Sequence, residues 1–234
     1  MIEQWLEWAR GPLFRLSFLI MVLGLLRLVI LTGVGVFRAL YRANDRKLPV
    51  KALVLATLKW LFPFKQLNNR LAYSITSVLF HVGLILTPLF LGAHILLWKR
   101  GIGIGWPGLT QGLADTLTIL TIAAGIGLII GRAANPFSRQ ISRFQDFALP
   151  PLLIVPFICG FLAMHPAINP IPYNAAMLIH VLSGDLIFIL IPFTKMAHCV
   201  LLPTTQLVAE VGWHFPADQG ENVAIALHKE TEPV

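Results

Sequence analysis

Four of the seven histidines lie inside stretches apolar enough to cross a membrane: His81 and His94 in one, His180 and His198 in another. An imidazole in hydrocarbon is costly unless its ring nitrogens find partners, and a haem iron supplies one without introducing a bare charge. One histidine in a span is readily explained by a hydrogen bond in the core. Two spans with two histidines each form the pattern that holds two irons, each between a pair of imidazoles. The remaining three have surface explanations: His165 stands at a helix end beside Pro166, and His214 and His228 lie in the polar C-terminal stretch.

The positions of these four depend on the helices that carry them. His180 and His198 are 18 residues apart, which on an ideal helix is five turns, one face and about 27 Å. His81 and His94 are 13 residues apart, about 20 Å of axis and about 220° of rotation. If the two spans run antiparallel, His81 meets His198 toward the inner face and His94 meets His180 toward the outer face. Pro88 and Pro192 lie between the members of each pair, and kinks there are what would bring all four into register. Gly83, Gly92 and Gly184 would let a flat macrocycle approach the backbone. Arg27 and Lys195 are cations able to pair with its carboxylates, although Lys195 can equally snorkel to the inner interface. Asp185, about 140° round the helix from His180, is a carboxylate in a span and so a proton carrier or hydrogen-bond partner.

The composition says what surrounds these groups. The chain has 234 residues, 56% of them hydrophobic and 12% charged, with a mean hydropathy of +0.75. A soluble domain carries roughly twice that charge fraction. Apolar runs of the length a helix needs to cross hydrocarbon recur at about 13–40, 71–98, 112–131, 147–165 and 173–201. The expected fold is therefore all-α, an integral membrane bundle of five transmembrane helices. The first run is too long for the apolar core of a signal peptide and has no small-residue cleavage site behind it, so it reads as a span. Residues 1–203 form the membrane domain and 204–234 a polar tail.

Charge sets the expected orientation. Arg38, Arg42, Arg46, Lys47, Lys51, Lys59, Lys65 and Arg70 stand against Asp45 in the first loop, and Arg132, Arg139 and Arg143 against Asp146 in the third. The opposite loops hold only Lys99 and Arg100 in one case and no basic residue in the other. The N-terminus is then outside and the C-terminus cytoplasmic, in a bacterial or archaeal cytoplasmic membrane. The net charge of +7 follows from this topology and requires no nucleic acid. Residues 48–64, apolar but short and basic, read as an interfacial helix. Cys159 and Cys199 are too few for a zinc or iron–sulfur cluster, and no CxxCH is present for covalent haem.

With FHVGLILTPLFLGAH in the second span, and H-x17-H with PFTKMAH in the fifth, the sequence resembles the gamma-subunit family of respiratory nitrate reductases, five-helix dihaem cytochromes b. The resemblance covers about residues 10–203. The 13-residue spacing departs from the nitrate reductase subunits and is more similar to relatives in sulfate reducers and other anaerobes, which puts nitrate in question as the acceptor. The resemblance implies two haem b groups, His94 and His180 on the outer and His81 and His198 on the inner. It further implies oxidation of a quinol, menaquinol above all, near the outer haem. Electrons would pass to a cytoplasmic iron–sulfur or other redox subunit, or the flow would reverse from a c-type cytochrome outside. A quinol site needs a proton acceptor, and Asp115, with Lys99 or Arg100, is the candidate; Asp115 also reads as an ordinary helix-start residue. The same residues leave two other classes open: an intramembrane proton or ion transporter without haem, and a haem-free anchor for a soluble enzyme.

Overall fold

The computed structural model describes residues 1–43, 50–61, 71–212 and 219–231. Asp45, Arg46, Lys47, Lys65 and Arg70 of the basic first loop, and His214, lie outside the described residues. Every regular element among the described residues is helical. In chain order these are α1 (Ile2–Trp8), α2 (Phe14–Ala43), α3 (Val50–Leu61), α4 (Leu71–Phe90), α5 (Gly92–Ile102), α6 (Gln111–Ala134), α7 (Pro136–Ile141), α8 (Phe144–Met164), α9 (Tyr173–Leu190), α10 (His198–Gly212) and α11 (Gln219–Ala226).

Five stretches are long and apolar enough to span a membrane: Ile2–Arg38, Leu71–Phe90, Gln111–Ala134, Phe144–Met164 and Tyr173–Phe193. Their outer faces expose large apolar side chains such as Leu23, Ile30, Leu79, Ile85 and Ile119. Water would penalise that surface, whereas acyl chains accept it. The protein is an all-α, multi-pass membrane protein.

Three expected boundaries shift. The first span begins earlier, because α1 continues through a π-helical turn at Ala9–Leu13 into α2. Pro12 has no N–H to donate, and the helix widens by one residue around it. The second span stops at Phe90 and restarts at Gly92, with Leu91 extended between them. The α-helix of the fifth ends at Leu190, where two short 3-10 turns, Ile191–Phe193 and Lys195–Ala197, lead into α10. The expected boundary at 203/204 falls inside α10, and α3 forms within the expected interfacial segment.

The chain divides into two compact units. The first comprises Met1–Phe18 and Gln66–Ile189. In it α4 packs on α6, and α6 on α8. Small residues allow the close approach: a Cβ at Gly83 would overlap Thr121 Oγ1, and one at Gly125 would lie 2.7 Å from Ile154. Phe80, Ala124 and Ile154 form the buried core of this contact. Asn135 caps α7 through Ser138 N–H (3.1 Å), and Asp146 caps α8 through Arg143 N–H (2.8 Å) while lying 3.9 Å from Arg132. The second unit comprises Leu19–Lys65 and Leu190–Val234. There α3 packs on α10, and Gly24 of α2 lies against Pro192, 2.5 Å from where a Cβ would stand.

These contacts make a sharp expectation. Gly83→Ala should lower the unfolding temperature in detergent, an overpacking cost of about 1–3 kcal/mol. Gly131→Ala, on an open face of α6, should leave it unchanged. Equal melting curves for the two variants would contradict the packing described.

Candidate functional site

The end of α4 explains the position of His94. A helix leaves its last four carbonyls without intrahelical donors, and in hydrocarbon each must be satisfied within the protein. Here Thr87 O accepts from Leu91 N (3.0 Å), Leu89 O from Trp106 Nε1 (2.9 Å) and Phe90 O from Leu109 N (2.8 Å). The fourth, Pro88 O, meets His94 Nδ1 at 2.9 Å. A carbonyl only accepts, so Nδ1 carries the hydrogen and Nε2 keeps a lone pair. The break at Leu91 also removes the 220° problem, because His81 and His94 no longer share one helix.

His180 is held in the same way from a different helix. Its Nδ1 lies 2.7 Å from Pro156 O of α8, which again leaves Nε2 with the lone pair. Its ring sits where a Cβ at position 160 would be, 3.0 Å from both Nδ1 and Cε1. Gly160 is therefore the seat of this imidazole.

The His94 and His180 rings have centroids 5.9 Å apart and planes 22° from parallel. A metal-bound imidazole nitrogen lies about 2 Å from the ion, and its ring centre roughly 1 Å further out. Two imidazoles on opposite sides of one ion thus have centres about 6 Å apart, which is the spacing found. Among the described residues no group of three or more His, Cys, Asp or Glu gathers as a metal site. A haem asks the protein for only two axial ligands. The backbones of α5 and α9 do not pack closely on each other, and the Cβ positions of Gly92 and Gly184 are open. Rings of Phe14, Phe18, Phe188, Trp98 and Trp106 bridge this region instead, each centroid 5.5–6.2 Å from its neighbour. Arg10 is near enough to His180 to interact with it electrostatically.

The other expected residues are distributed as follows. His81 has its Nδ1 on Ser77 O (2.7 Å) and sits edge-on to Phe80. His198 opens α10, with Nδ1 on Lys195 O (2.8 Å). The two-turn interruption before α10 means that five turns of ideal helix do not connect His180 to His198; Pro192 and the extended Thr194 break the run. His81 belongs to the first unit and His198 to the second. Lys195 and Arg27 are exposed residues of the second unit. Lys99 is exposed, its stem 3.6 Å from the Cβ position of Gly105. Asp115 pairs with His165, whose Nε2 is 3.3 Å from Asp115 Oδ2. Gly83 does not offer the open approach expected of it, since Thr121 fills that space.

Asp185 is 2% exposed and its Oδ1 accepts from Ser17 Oγ at 2.9 Å, across 168 residues of sequence. Its Oδ2 has no hydrogen-bond partner among the described residues.

A protein of Nitratidesulfovibrio vulgaris (strain Hildenborough) is 33% identical to this chain over 197 residues, covering 82% of this chain and 85% of the relative. The chain belongs to the family of that protein. The relative's description names no activity or ligand. No family model matches the chain, and no solved structure does. Gly160 and Arg10, which lie by His180, and His165, which pairs with Asp115, are the residues that sequence reasoning did not single out. Gly160 has a weak signal, a glycine in an apolar span. Arg10 and His165 have none, because their partners come from distant helices.

The buried carboxyl supplies a test. Ser17→Ala would leave both Asp185 oxygens without a partner among the described residues and should destabilise the protein by about 1–3 kcal/mol. Asp185→Asn keeps an acceptor for Ser17 and should cost less. The ordering is read from thermal unfolding in one detergent.

Proposed function

We propose that the chain is a membrane cytochrome b subunit that holds two haem b groups and oxidises a quinol, menaquinol foremost, near the outer membrane face. The His94–His180 pair carries this reading: centroids at bis-imidazole spacing, near-parallel rings, and both Nδ1 atoms engaged so that both Nε2 atoms present lone pairs. His94 and His180 hold the outer haem. The resemblance to the dihaem cytochromes b implies His81 and His198 as ligands of the inner one, and each is engaged through Nδ1. Arg10 joins Arg27 and Lys195 as cations that would pair with haem carboxylates. Bound haem supplies one-electron transfer, and the protein tunes its potential through ligation, burial and nearby charge. The chain's own part is to fix the imidazole tautomers and ring orientations by backbone hydrogen bonds.

The resemblance to the nitrate reductase gamma subunits supports the same reading. It assigns this chain the electron-transfer role in an oxidoreductase complex whose terminal catalytic site lies elsewhere. The partner is a redox subunit, iron–sulfur on the cytoplasmic side or a c-type cytochrome outside.

A reduced-minus-oxidised spectrum of the purified protein tests the proposal. Low-spin b-type bands at two haems per chain are expected, falling to one in His94→Ala or His180→Ala. Gly160→Val, which pushes His180 from its seat, should remove the same haem without touching a ligand. A protein purified from haem-replete membranes with no such bands would refute the reading.

A further inference from the structure

We infer that Asp115 and His165 form a dyad that accepts a proton from the quinol hydroxyl; the inference rests on the quinol-oxidising function proposed above. Asp115 lies near the start of α6 and His165 at the end of α8, both half-buried, with Nε2 and Oδ2 3.3 Å apart. Every other polar atom of the pair is occupied. His165 Nδ1 lies 2.8 Å from Phe161 O, and Asp115 Oδ1 accepts from Gln111 Nε2 at 2.9 Å. The Phe161 ring lies flat against the imidazole, centroids 4.1 Å apart and planes 25° from parallel. Position and tautomer of the imidazole are both set by α8 itself.

The chemistry follows from the tautomer. Phe161 O accepts, so the hydrogen of the neutral ring is on Nδ1 and the lone pair is on Nε2, the atom 3.3 Å from Oδ2. A proton released by a quinol hydroxyl would therefore meet two acceptors side by side, an imidazole nitrogen and a carboxylate oxygen. Partial exposure gives that proton an exit to water, so one site can serve twice in a two-proton oxidation.

Its place in the fold suits the role. Helix α8 carries Pro156 and Gly160, which seat His180, and His165 lies five residues beyond Gly160, about 7.5 Å along the axis. One helix thus links the proposed outer electron acceptor to the dyad. In the step itself the quinol O–H bond breaks and its proton passes to the Nε2/Oδ2 edge. The two electrons would pass to the haems that the function proposed above supplies, and the product is quinone. The second proton follows after the first has gone to water.

The test uses the full chain in lipid nanodiscs and two independent readouts. In the first, 15N-histidine NMR, with His165→Gln identifying the signal, should show the hydrogen of the neutral ring on Nδ1, and Asp115→Asn should shift that signal. This arm does not depend on haem. In the second, menadiol is mixed with the oxidised protein and the b-type bands are followed. Asp115→Asn and His165→Gln, at unchanged haem content, should slow reduction by roughly 100-fold or more, and Asp115→Glu should recover most of the rate. A structural ion pair alone would not produce that recovery. Wild-type reduction rates in both variants, or a His165 signal indifferent to Asp115→Asn, would overturn the dyad while leaving the cytochrome reading intact. Wild-type protein that holds haem but is not reduced by menadiol would instead overturn the quinol function and, with it, the dyad's role.

Discussion

The outer site depends on where backbone carbonyls are left over in a membrane helix. Hydrocarbon offers no water to a free C=O, so each break in a span must be matched by a donor from the protein. At the end of α4 one of those donors is the Nδ1–H of His94. The bond does two things at once: it satisfies Pro88 O and turns the Nε2 lone pair away from the backbone. His180 repeats the arrangement on Pro156 O, with Gly160 leaving room for the ring. Remove either hydrogen bond and the ring is free to rotate, which would lose the 5.9 Å spacing.

The packing follows a division of labour consistent with that constraint. Helices α4, α6 and α8 lie close together through small residues, Gly83 on Thr121 and Gly125 on Ile154. Apolar burial gives little drive between helices surrounded by lipid, so close van der Waals contact has to supply it. Helices α5 and α9 stand apart by comparison and are joined through aromatic rings, and α9 is tied to the first span by the Ser17–Asp185 bond. The first unit thus combines a tight three-helix frame with a looser pair of helices that carry His94 and His180.

Asp185 shows how a polar residue stays ambiguous on its own helix. In α9 alone it is an isolated carboxylate among Leu, Ile and Phe, which suggests a carrier of protons or a hydrogen-bond partner. In the folded chain Ser17 donates to it from the first span, itself also within 3.0 Å of Phe14 O. One carboxyl oxygen is thereby explained by packing. His165 is the reverse case, an ordinary helix-end residue in the sequence that acquires an acidic partner 50 positions away.

The sequence by itself determined the all-α class, the five apolar spans and the four intramembrane histidines, because span length and the rarity of ionisable groups in hydrocarbon are local properties of the chain. It also contained Pro88 and Pro192, and so the likelihood of interruption near each. It did not contain the outcome of those interruptions. An ideal helix places His94 on the wrong side of α4, and only the extended Leu91 carries it round to His180. The same argument removes the five-turn spacing from His180 and His198, since two 3-10 turns intervene. The pairing of Asp115 with His165, the seat at Gly160 and the bond from Ser17 to Asp185 were decided by tertiary structure alone. Each joins residues from separate helices, and no periodicity within one helix can report which face another will meet.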